Sequence, residues 1–323
     1  MRIAVFGAGA VGAYFGGRLA EAGADVAFVA RGEHLRAIRA QGLRVTSGAG
    51  DFTLHPAHVS DDPASLGPVD AILVAVKTWQ VAEAAAAMPP LLGENTFVVP
   101  LLNGVEAPAQ LADALGSGRV LGGLCRIVAW IEGPGHVHHA GVEPWIGFGE
   151  LAGGGGGTRA ERLLAAFAPA RGVTAEILPD VQAAMWRKFM FISAMSGVGA
   201  VTRAPIGVVR SRPETRRLLA RAIEEVYRTA VASGVALPAT AVEETLKFVD
   251  AMPPEATASM QRDVMEGRPS ELEAQSGAVV RLAAGAGVDA PVHDFIHRSL
   301  LPLELRARGE VRFPATPLPA ART

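Results

Sequence analysis

The chain has 323 residues, half of them apolar and 6% aromatic, a length beyond one ordinary core that predicts two domains. Its net charge of −2 supplies no basic field for nucleic acid or an anionic membrane surface, so neither is expected as a partner. The single cysteine, Cys125, allows no disulfide within the chain, which fits a reducing compartment; in its apolar run it reads as a small core residue.

The first 24 residues, "MRIAVFGAGAVGAYFGGRLAEAGA", have the basic start and apolar stretch of a signal peptide. A strand, a glycine turn and a helix explain them better, because a second strand, "DVAFVAR", follows at once. No stretch reaches the roughly 18 uninterrupted apolar residues of a membrane span. A soluble, cytoplasmic protein is the expectation.

"RIAVFGA", "DVAFVAR", "DAILVAVK" and "TFVVPLLN" are nearly continuous apolar runs of strand length, as in parallel strands buried on both faces. Helical segments such as "AYFGGRLAEAG" and "EHLRAIRAQG" lie between them. The alternation predicts an α/β fold, an N-terminal Rossmann-like doubly wound sheet over residues 1–178. Between residues 120 and 150 the pattern turns extended and predicts antiparallel strands added to the sheet edge. The glycine run at 153–157 reads as a flexible loop before a helix, "TRAERLLAAFAPARG". From 179 to 323 strands vanish, and helical patterns at 181–201, 214–234, 239–250, 255–265 and 270–287 predict an all-α C-terminal domain with a proline-rich tail. Its apolar helices would serve a homodimer as well as an ordinary core.

"GAGAVG" places Gly7, Gly9 and Gly12, with Ala8, Ala10 and Val11 between them, in dinucleotide-binding register after a strand and before a helix. Gly7 permits the turn, Gly9 the approach of a pyrophosphate, and Gly12 close helix–strand packing. The helix N-terminus adds N–H groups and partial positive charge. The second strand ends at Arg31, where an NAD site would carry an acid for the ribose 2′-OH; an arginine there suits a 2′-phosphate and favours NADPH. Asp25 precedes that strand, at its wrong end. Lys77 and Asn103 follow the third and fourth strands, so four strand ends with polar or glycine residues converge on one edge. Each alone could be a turn residue, Asn103-Gly104 especially.

Lys188 stands in an apolar helix, "MWRKFMFISAMSG". Held inward, it could protonate a carbonyl; on composition alone, a lysine with its stem on the core and its head in water is the simpler reading. In "GRPSELEAQSG", Pro269 marks a helix start and Ser270 with Glu273 fits a capping box, which leaves Glu271 either to bind substrate or to complement the helix dipole. His136 and His138 share a face of a strand. No cysteine or carboxylate completes a convincing metal set with them, so no metal is expected and a surface or edge-strand role is preferred.

The chain as a whole resembles the ketopantoate reductase (2-dehydropantoate 2-reductase) family. "GAGAVG", "VKTWQ", "LLNGV", "WRKF", "ASMQRD" and "RPSELEAQSG" match it in order and spacing. The resemblance implies NADPH-dependent reduction of ketopantoate to pantoate, on the route to pantothenate, with the site in a cleft between the two domains. It implies Lys188 as general acid, Glu271 as its companion at the substrate, Ser259 and Asn103 as substrate contacts, and Arg31 and Lys77 as cofactor contacts. Family members carry asparagines four and eight residues after the lysine, where this chain has Ile192 and Ser196, and a third where it has Ile206. Ser196 is therefore a candidate substrate contact in a more apolar pocket. Two alternatives follow: the same chemistry on a more apolar 2-oxo acid, or an NADPH-binding sensor without turnover.

Overall fold

The computed structural model describes residues 1–55, 57–151 and 157–314. The glycine-run loop, apart from Gly157, and the tail beyond residue 314 lie outside the described residues. The chain forms two compact units, Met1–Trp186 and Arg187–Thr323.

In the first unit the elements run β1 (Arg2–Phe6), α1 (Ala10–Glu21), β2 (Asp25–Val29), α2 (Gly32–Gln41), β3 (Leu43–Ser47), β4 (Phe52–Leu54), β5 (His58–Ser60), β6 (Val69–Val74) and α3 (Val81–Ala87). They continue with β7 (Leu92–Pro100), α4 (Ala107–Leu115), β8 (Leu121–Arg126), β9 (Ala129–Gly133), β10 (His136–His139), β11 (Trp145–Glu150), α5 (Thr158–Phe167) and β12 (Thr174–Ile177). Strands β5-β2-β1-β6-β7 make a parallel sheet in that order. The order reverses direction at β1 and β6, the switch point where doubly wound sheets bind ligands. Side chains alternate across it: Ile3 and Val5 pack on one face with Phe15 and Leu19 of α1, Ala4 and Phe6 on the other with Val81 of α3 and Leu111 of α4. Both faces are covered, which is why these strands read as unbroken apolar runs.

The extended region after residue 120 corrects one expectation. It does not lengthen the parallel sheet. Strands β4-β3-β10-β9 and β12-β11-β8 form two further sheets packed on the α1 side of the core. Beyond an isolated bridge between Val98 and Val120, no ladder joins them to β7 among the described residues. Pro100 ends β7 without an N–H to donate, which limits pairing on that edge. Strand β10, with His136 and His138, lies between β3 and β9, so β9 is the edge.

The helical series begins with α6 (Val181–Thr202), whose first six residues belong to the first unit. It continues with α7 (Ile206–Ser211), α8 (Pro213–Ala232), α9 (Ala241–Ala251), α10 (Ser259–Met265), a π-turn at Glu273–Gly277, α11 (Ala278–Gly285) and α12 (Pro291–Ala307). Every residue of α6 from Ser193 to Ala200 is buried, so this helix is apolar all round because it is enclosed. At Gly197 a Cβ would come within 3.1 Å of both Ile296 of α12 and the Ser276 hydroxyl of the π-turn. No helix among the described residues is long and apolar enough to cross a membrane.

Candidate active site

The carboxyl ends of four neighbouring parallel strands carry the first group of candidates, in the order Arg31 after β2, the glycine turn after β1, Lys77 after β6 and Asn103 after β7. Parallel pairing brings these ends to one edge. Gly7 has φ +102°, and a Cβ there would sit 2.9 Å from the Ala75 backbone; at Gly12 it would sit 2.1 Å from the Gly7 carbonyl. Both glycines are thus required by the fold itself. Gly9 is different: nothing lies within 4 Å of where its Cβ would be. The absent side chain leaves open space in front of the α1 N-terminus, which has no side-chain cap and no acid in its first turn. The Gly7 and Ala8 N–H groups are taken, both donating to the Val29 carbonyl at 3.1 Å. The first-turn amides of Ala10, Val11 and Gly12 are therefore the groups a pyrophosphate would meet. These features fit a dinucleotide.

Arg31 is the N-cap residue of α2 and exposed; its guanidinium meets the Glu83 carboxylate of α3 at 2.6 Å. Lys77 is exposed at the end of β6, with its ammonium 5.7 Å from the Trp79 ring centre. Asn103 is half-buried and followed by Gly104 at φ +93°, so the turn reading of this pair holds alongside any other role.

The second group lies in the helical unit. Lys188, Ile192 and Ser196 fall four residues apart on α6 and so share one face. That face runs inward: Lys188 and Ile192 are half-buried and Ser196 is fully buried. The Ser196 hydroxyl and both amide atoms of Gln275 are buried without hydrogen-bond partners among the described residues. Ile206 is buried at the start of α7. Ser259 is half-buried in the first turn of α10.

Glu271 is buried, 6% exposed, and its setting corrects the sequence reading. No helix starts at Pro269 and no capping box forms. Instead the buried Glu304 carboxylate of α12 accepts the Ser270 N–H at 3.0 Å and the Ser270 hydroxyl at 2.5 Å. Arg308 completes the cluster, 2.6 Å from Glu304 and 3.1 Å from the Ser270 carbonyl. The Ser270 hydroxyl gives its proton to this charged acceptor and accepts from the nearby Leu272 N–H at 3.3 Å, rather than from the Glu273 N–H that a capping box uses. Glu273, the expected box partner, bonds His297 at 2.7 Å and Arg281 at 3.0 Å. The segment then enters the helix through a π-turn, a feature common at functional sites. Glu83, Gln275, Glu304 and Arg308 were not legible as site neighbours, because their partners are remote in sequence or absent.

His136 bonds the Thr46 hydroxyl at 2.9 Å, and His138 meets Glu132 at 3.1 Å and stacks on Trp130. No group able to hold a metal occurs among the described residues. Cys125 is buried in the core, as expected.

A doubly wound sheet with an uncapped glycine turn at its switch point, followed by a helical unit, is the architecture of a dinucleotide-binding protein. Residues 3–153 match the family model "Ketopantoate reductase PanE/ApbA" and residues 180–304 match "Ketopantoate reductase PanE/ApbA C terminal". The chain belongs to the ketopantoate reductase family, and is an NADP-dependent oxidoreductase of the 2-dehydropantoate 2-reductase type. It is 30% identical to the 2-dehydropantoate 2-reductase of Nostoc sp. over 95% of this chain and 96% of that one. It is 28% identical to the "Uncharacterized oxidoreductase YkpB" of Bacillus subtilis over 93% and 98% of the two chains. Among solved structures, the 2-dehydropantoate 2-reductase of Geobacter metallireducens matches with a TM-score of 0.86 and 33% identity, over 94% of this chain and 99% of that one.

Proposed function

We propose that the protein reduces a 2-oxo acid, with 2-dehydropantoate as the leading substrate, and that Lys188 is the proton donor. The supporting observation is a half-buried lysine on the inward-running face of α6 and a buried glutamate, Lys188 and Glu271, in a helical unit otherwise rich in apolar core. NADPH, when bound, supplies the hydride that the substrate C2 receives. Lys188 donates a hydrogen bond to the keto oxygen, drains charge from the carbonyl, and delivers its proton as the oxygen becomes an alkoxide. Lysine is then recharged from water. General-acid help of this kind is worth about 10²–10⁴ in rate. Glu271 orients the substrate through a hydrogen bond, and Ser259, Asn103 and Ser196 supply further polar contacts. On the cofactor side, the Gly7–Gly12 turn holds the pyrophosphate, Arg31 meets the 2′-phosphate, and Lys77 and Asn103 lie on the nicotinamide side.

A second reading keeps the chemistry and makes the substrate bulkier or more apolar. Ile192, half-buried one turn beyond Lys188 where the family resemblance implies an asparagine, favours it. Steady-state kinetics across a panel of 2-oxo acids separates the two. Highest kcat/KM for 2-dehydropantoate supports the first reading; a branched or aromatic oxo acid on top, with a 2-dehydropantoate gain in Ile192→Asn, supports the second. Binding of NADPH without turnover of any panel member contradicts both.

A further inference from the structure

The Arg31–Glu83 pair bears on cofactor choice. Arg31 stands at the end of β2, where the adenosine ribose of a bound dinucleotide lies in a doubly wound sheet. Its guanidinium is engaged by Glu83 at 2.6 Å, and both side chains are more than half exposed. Glu83 comes from the first turn of α3, 52 residues away, on the far side of β1 from β2. The contact therefore joins segments that follow the two strands flanking β1, the strand that leads into the glycine turn, rather than bracing one element.

We infer that Glu83 is a specificity-determining residue that weakens the preference of this enzyme for NADPH over NADH by competing with the cofactor 2′-phosphate for Arg31. The phosphate and the carboxylate want the same donors, since a guanidinium forks onto either. A 2′-phosphate carries between one and two negative charges near neutrality, with a second pKa of about 6 like other phosphate monoesters. It must either displace Glu83 or sit beside it against like-charge repulsion. NADH brings only a hydroxyl to this place and meets neither cost. The pair is solvent-exposed, so the effect is moderate and screened by salt.

This inference rests on the assignment of Arg31 to the 2′-phosphate. The test measures dissociation constants of NADPH, NADH and adenosine 2′,5′-bisphosphate by fluorescence and calorimetry at low salt. The proteins are wild type, Glu83→Gln, Arg31→Ala and the double variant, with circular dichroism confirming the fold. In Glu83→Gln, NADPH and the bisphosphate should bind about two- to fivefold tighter, the range expected for relief of one exposed charge contact, while NADH is unmoved. The gain should vanish in the double variant and shrink at high salt. If Arg31→Ala weakens NADPH but Glu83→Gln does not tighten it, the inference fails and the Arg31 assignment stands. If Arg31→Ala leaves NADPH binding unchanged, both fail. Equal tightening of NADPH and NADH, or a gain that persists without Arg31, also overturns it.

Discussion

At the scale of single residues, the three motif glycines are not equivalent. Gly12→Ala forces a Cβ to 2.1 Å from the Gly7 carbonyl, so helix and strand must move apart. That variant should lose both folding stability and dinucleotide binding. Gly9→Ala meets nothing within 4 Å and should leave thermal unfolding nearly unchanged. Its methyl instead occupies the space a pyrophosphate needs, and NADPH binding should weaken about tenfold or more, roughly 1.4 kcal/mol. Thermal melts and NADPH titrations of the pair check this; equal stability loss in both variants would contradict it. The glycines were legible because their spacing and context are local. Arg31 was legible as a strand-end residue but its partner was not, since nothing in the sequence ties residue 31 to residue 83.

At the scale of elements, the Glu271 segment is held from outside itself. Glu304 of α12 accepts from Ser270 and pairs with Arg308, and it is only 3% exposed. Removing one partner of a buried ionic cluster costs about 3–5 kcal/mol. Glu304→Ala should therefore lower the urea midpoint markedly, and an unchanged midpoint would contradict the described clamp. Sequence periodicity found α6 and α8 because each carries a long unbroken pattern. It offered nothing for α12, whose charged residues and internal Pro302 blur the apolar stripe. It also read 270–287 as one regular helix. The π-turn there reflects tertiary demands: Ser270 is claimed by Glu304 and Glu273 by His297 and Arg281.

A second element-scale consequence concerns pH. His293, at the start of α12, is fully buried, with Nε2 3.1 Å from the Ala222 carbonyl, and burial pushes it down to about 4. The unfolded chain takes up this proton near pH 6.5 and the folded chain does not. Its contribution is therefore present above pH 6.5 and is lost as pH falls toward 4, about 3 kcal/mol in all. Glu225, which accepts the Val292 and His293 N–H groups, is raised by burial and acts in the opposite sense as pH climbs above the usual carboxylate range. Urea unfolding at pH 7 and pH 5 should show a steeper loss in wild type than in His293→Gln. Equal losses would exclude His293 as the source.

At the scale of the molecule, the parallel sheet, its covered faces and the helical second unit follow from hydrophobic periodicity, which is set by burial. Strands β3, β4, β5 and β12 escaped it because, at three to five residues each, they are too short to show a period, and β5 and β12 pair with partners far along the chain. Pairing also decided that the region after residue 120 builds separate sheets. For the site, the residue types were readable and their surroundings were not. Ser196 illustrates this: a polar residue on an apolar helix gives no sign that its hydroxyl is enclosed and unpartnered.

The central claim is that Lys188 is the acid of an NADPH-dependent oxo-acid reduction. Its most direct test is the rate of NADPH oxidation with 2-dehydropantoate in wild type and Lys188→Ala, with NADPH affinity measured on both proteins. Turnover should fall by about 10²–10⁴ in the variant while NADPH still binds. Turnover that survives the substitution unchanged would contradict it.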